Sequence, residues 1–105
     1  MDAQIKTKWV EALRSGEYEQ ATGRLKDGNE FCCLGVLCTV MGAQWRDMGP
    51  YLDGFSLRDE NDDELLSLRT LDSVGFGEST QGTLVKMNDD GISFPEIADY
   101  IEKHL

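Results

Sequence analysis

Hydrophobic residues near the start of the chain recur with the period of a helix. Ile5, Trp9, Val10 and Leu13 share one face, with Lys6, Lys8, Glu11 and Arg14 on the other. Ser15-Gly16 closes this run, and Gly16 suits the left-handed residue that often follows a helix. In "CLGVLCTVMG" the spacing of Leu34, Leu37, Cys38 and Met41 predicts a short buried helix ending at Gly42. Gly35 within it costs about 1 kcal/mol against alanine, so a close crossing by another element is the expected compensation. "NDDELLSLRTLDSVG" opens with acids at a positive helix terminus and carries Leu65, Leu68, Leu71 and Val74 to Gly75, predicting a third helix. "ISFPEIADYIEKHL" predicts a fourth. Ser93 and Glu96 form a capping box, Pro95 lies in the first turn, and Ile92 can staple onto Ile97. Ile97, Ala98, Ile101 and Leu105 make its apolar stripe.

Between the first two helices, "YEQATGRLKDGNEF" places Asp27-Gly28 between short extended runs, a strong local signal for a hairpin. Counting outward from that turn pairs Lys26 with Asn29, Leu25 with Glu30, and Arg24 with Phe31. Residues 43 to 60 carry the turn signals Gly49-Pro50 and Asp53-Gly54, which allow a second, irregular strand pair. No linker or internal repeat divides the chain. The pattern predicts one α+β domain over residues 1–105, about four helices packed with a short antiparallel hairpin or small sheet.

Composition adds bounds to this picture. A chain of 105 residues buries roughly two-thirds of its extended surface, enough for a core without staples. Its formal charge of −10 is uneven, because residues 1–28 balance five bases against five acids and residues 29–105 carry the whole excess. Repulsion therefore opposes general affinity for nucleic acid or anionic lipid, while a local anion site in the first third stays open. Three cysteines cannot pair completely, no secretory pattern stands near the start, and the longest apolar run is too short to span a bilayer. An intracellular, reducing location is expected.

Three cysteines within "NEFCCLGVLC" raise the question of metal or nucleophile. Zinc needs four ligands, and the only histidine, His104, is penultimate; Cys32 and Cys33 are adjacent and would point to opposite faces of a strand. A thiol nucleophile would need His104 as its base. Packing is the expected role of these thiols, so no catalytic residue, metal or cofactor is assigned. In "RDENDDE" an EF-hand reading that starts at Asp59 demands glycine at Glu64 and glutamate at Thr70, and both fail. Trp9, Arg14, Tyr18, Gln20 and Arg24 are the candidate ligand-binding residues, since rings beside guanidinium groups suit a nucleotide or another planar anion. The competing reading makes Trp9 core and the arginines solvated.

"WVEALRSGEYEQATGRL", "FCCLGVLC" and "MNDDGISFPEIADYIE" together resemble a family of small, mostly uncharacterised proteins encoded by tailed bacteriophages. Its pattern is W-x2-ALRSG-x-Y-x-Q, then CCLGVLC, then ND-x-G-x-SF-x2-IA-x2-IE. Residues 43–67 fall outside the resemblance, and Leu65-Leu66 stands where a Leu-Pro is expected. The resemblance implies a gene product at work in the host cytoplasm of an infected bacterium, where small proteins commonly inhibit host enzymes or blunt host defences.

The expected function is thus a non-enzymatic binding protein that inhibits host machinery or sequesters a host nucleotide defence signal. The expected partner is a host protein or nucleotide-type small molecule, with no direct nucleic-acid or membrane binding. An alternative is an acidic decoy that occupies a nucleic-acid-binding protein, using Asp59 to Glu64, Asp89, Asp90, Asp99 and Glu102 to imitate phosphates. A thiol redox protein is a further alternative.

Overall fold

Asp2 opens the first helix by capping it, its Oδ1 accepting from the backbone N–H of Ile5 at 2.9 Å. Helix α1 then runs over Ala3–Ser15 and ends at Gly16 with φ 78°, the left-handed stop expected there. A computed structural model describes residues 1–23, 25–42, 45–47, 55–57, 71–72 and 74–105.

After α1 come three two-residue strands, β1 (Glu19–Gln20), β2 (Lys26–Asp27) and β3 (Glu30–Phe31), in the spatial order β1-β3-β2. The hairpin exists, with a register two residues away from the expected one. Asp27 lies opposite Glu30 and Lys26 opposite Phe31, so Gly28-Asn29 forms the turn. Gly28 takes the positive φ, at 60°. The physical reason lies at the far end of the hairpin, where Leu25 is fully buried and its carbonyl accepts from Cys32 N–H at 3.1 Å. The expected register would have set Leu25 beside exposed Glu30. Strand β1 adds to β3 in parallel, which makes the sheet mixed.

Helix α2 (Cys33–Val40) follows β3 directly and is buried on every side from Cys33 to Cys38. Met41, expected in its apolar stripe, is instead exposed at its C-terminal end. Strands β4 (Trp45–Asp47) and β5 (Phe55–Leu57) form the second, antiparallel pair. Of the expected third helix, Leu71, Asp72 and Val74 are helical, with Leu71 and Val74 buried; Leu65 and Leu68 lie outside the described residues.

Helix α3 (Glu78–Asp89) is an element that hydrophobic periodicity did not predict. Its buried positions are Gln81, Leu84 and Asn88, at helical spacing but with two amides among the three, so an apolar stripe is missing from the sequence. Helix α4 (Phe94–His104) has the expected start: Ser93 Oγ accepts from Glu96 N–H at 3.5 Å, and Pro95 lies in the first turn. Phe94, Ile97, Ala98 and Ile101 are its buried face. One hydrophobic core joins α1, α2, α3, α4, Leu25, Leu71 and Val74, giving a small single α+β domain whose described residues include these four helices, a short mixed sheet and the β4–β5 pair.

Candidate functional site

Cys33 is where the three sequence motifs meet. Its carbonyl accepts from Trp9 Nε1–H at 2.8 Å, and its N–H donates to Asn88 Oδ1 at 3.2 Å. Asn88 is fully buried near the end of α3, and its amide serves two further partners. Gln20 Nε2 donates to Asn88 Oδ1 at 3.0 Å, while Asn88 Nδ2 donates to Ala21 O at 2.7 Å. Gln20 Nε2 also reaches Ile92 O at 2.7 Å, and Asp89 Oδ1 accepts from Gly23 N–H at 3.0 Å. α1, the β1 segment, the start of α2 and the end of α3 are therefore tied at one buried point. Such a network is favourable only when every polar group finds a partner, and among the described residues no buried side-chain N or O lacks one.

All three thiols are buried, and no disulfide joins them. Cys32 caps α2, its Sγ accepting from Gly35 N–H at 3.4 Å. Burial pushes the Cys32 thiol up to about 11, with the Gly35 hydrogen bond opposing. Cys33 is also pushed well up by burial and then by its neighbour Cys32, and its Sγ contacts Leu84 O at 3.7 Å. At pH 8 a thiol of pKa about 11 is ionised to roughly 0.1%, which makes it a poor nucleophile. Two results are expected. Native protein at pH 8 resists iodoacetamide at Cys32 and Cys33 for far longer than urea-unfolded protein, as read by intact mass. Stability also falls as pH rises past about 9, because the unfolded thiol releases its proton there while folded Cys32 holds its own to about 11. A melting temperature that stays flat or rises from pH 8 to 10.5 would contradict the assignment.

Of the five candidate ligand-binding residues, the four described ones, Trp9, Arg14, Tyr18 and Gln20, do not share a surface. Trp9 is fully buried, stacked on Phe76 with ring centroids 5.9 Å apart, so the core reading of this indole is the one the structure shows. Arg14 is partly exposed and reaches across to α4, where Nη2 pairs with Asp99 and Nη1 with Glu102, each at 2.6 Å. Those two hydrogen bonds raise the guanidinium pKa further. Tyr18 packs edge-on against Phe31 at 5.4 Å, and Gln20 is spent on Asn88 and Ile92. Arg24 lies outside the described residues.

Beside Arg14 a shallow cleft of about 380 Å³ opens along α1, lined by Ala3, Lys6, Thr7, Val10, Glu11, Arg14 and Glu102. Two bases and two acids line it, so its charge selects neither sign. The Arg14 fork joins three well-exposed side chains, and such pairs contribute little in water. Arg14→Met is expected to lower the melting temperature slightly at low ionic strength and not at all near about 1 M salt, where screening acts within about 3 Å.

The comparisons with known proteins bear on the first half of this framework. Residues 1–49 match the model of a domain of unknown function, DUF8296. No curated protein and no solved structure matches the chain. The matched segment holds α1, the mixed sheet, α2 and β4. It stops short of α3, whose Asn88 and Leu84 receive the polar groups of Cys33.

Among the described residues, no group of three or more His, Cys, Asp or Glu side chains is arranged to hold a metal ion. The acidic run from Asp59 to Glu64 lies outside them. No described helix is long and apolar enough to cross a membrane. A row that the sequence reading missed is Glu19, Glu30 and Asp27, paired across the sheet and all exposed. Neither the parallel β1 pairing nor the true hairpin register was available from the turn signal, so the row had no visible precursor.

Proposed function

We propose that this protein acts by association, as a small acidic binding protein that occupies a host protein in a phage-infected bacterium and thereby inhibits host machinery or defence. The observation that supports this reading is the division between inside and outside. Cys32, Cys33 and Cys38 are buried in the core, while exposed carboxylates carry much of the surface. His104, the base a thiol nucleophile would need, is exposed against Tyr100 at the end of α4, with ring centroids 4.5 Å apart. A surface of net charge −10 speeds encounter with a basic partner and repels nucleic acid.

The nucleotide-binding form of this reading loses its stacking ring, because Trp9 is inside. The acidic-decoy form is weakened at four of its positions: Asp99 and Glu102 share the single positive charge of Arg14, Asp90 pairs with Lys86 at 3.3 Å, and Asp89 accepts from Gly23 N–H. Occupation of a host protein through a broader acidic surface is the form that remains best supported. Tagged protein recovered from infected cells should carry one host protein in near-stoichiometric amount. Reconstituted binding should then weaken steeply between about 50 mM and 500 mM salt. Recovery of a small molecule without any protein, or binding indifferent to salt, would overturn the reading.

A further inference from the structure

We draw no further inference here: the strongest candidate, the row of exposed carboxylates Glu19, Glu30 and Asp27 across one face of the three-stranded sheet, is an acidic cluster with no second feature beside it that points to a ligand.

Discussion

Asn88→Leu should lower the melting temperature by at least about 12 °C. The substitution keeps the number and branching of the side-chain heavy atoms, adds some bulk and removes the amide, which strands Cys33 N–H and Ala21 C=O in the buried interior. Each orphaned group costs about 1–3 kcal/mol, so a loss of about 3 kcal/mol is the modest expectation, at about 4 °C or more per kcal/mol in a domain of this size. Gln20 suffers less, because Ile92 O still accepts from it. Asn88→Asp separates the roles of the two amide atoms. Its carboxylate keeps acceptors for Cys33 and Gln20 but cannot donate to Ala21 O, and it buries a charge. Burial raises the folded-state pKa of such a carboxyl, so its stability deficit at pH 7 should shrink as pH falls toward about 4. Thermal melts at both pH values decide the matter. An Asn88→Leu protein that melts within about 4 °C of the parent would show that the network is dispensable.

Gly35→Ala should be at least as damaging, against the helix-propensity rule. In a solvent-exposed helix the change would stabilise by about 1 kcal/mol. Here a Cβ built on Gly35 would lie 1.8 Å from Leu25 O and 2.8 Å from Leu25 C, which are backbone atoms and cannot rotate aside. Either α2 lifts off the hairpin or Leu25 retreats, and both break the bond from Cys32 N–H to Leu25 O. A loss of at least about 3 kcal/mol follows from overpacking together with that orphaned donor. Gly82→Ala supplies the control. Gly82 lies within α3, and a Cβ there meets nothing within 4 Å, so the same substitution should stabilise by up to about 1 kcal/mol. Urea denaturation of the two variants should thus give opposite signs. Equal signs would remove the close-crossing account of Gly35.

Both predictions concern residues whose importance was visible in the sequence only in part. The glycine inside an otherwise apolar helix pointed to a close neighbour, and the neighbour is the hairpin backbone. The "NDDG" stretch carries no hydrophobic residue to mark a buried position. Its asparagine is a buried tie between the β1 segment, α2 and α3, and a lone polar residue gives no periodic signal that distinguishes a satisfied core amide from a solvated one. The described members of the candidate ligand-binding group are dispersed for the opposite reason. Trp9, Arg14 and Tyr18 are close in sequence, but on a helix and its following turn such neighbours point in different directions.

The helices with strong periodicity or caps are legible from local residue pattern. α1, α2 and α4 follow from local spacing, from Asp2 and Ser93 as caps, and from Gly16 as a stop, all of which act within a few residues. The sequence also shows that the thiols suit a core and that the surface is acidic. The hairpin register, the parallel β1 strand, α3 and the Asn88 tie arise from contacts made in the folded chain. Each depends on a partner outside its own element: Leu25 carbonyl under Cys32, Phe31 carbonyl accepting from Ala21, and Asn88 between Ala21 and Cys33. A buried polar group is stable only where its partner happens to be delivered, and that delivery is a property of the folded chain rather than of any local pattern.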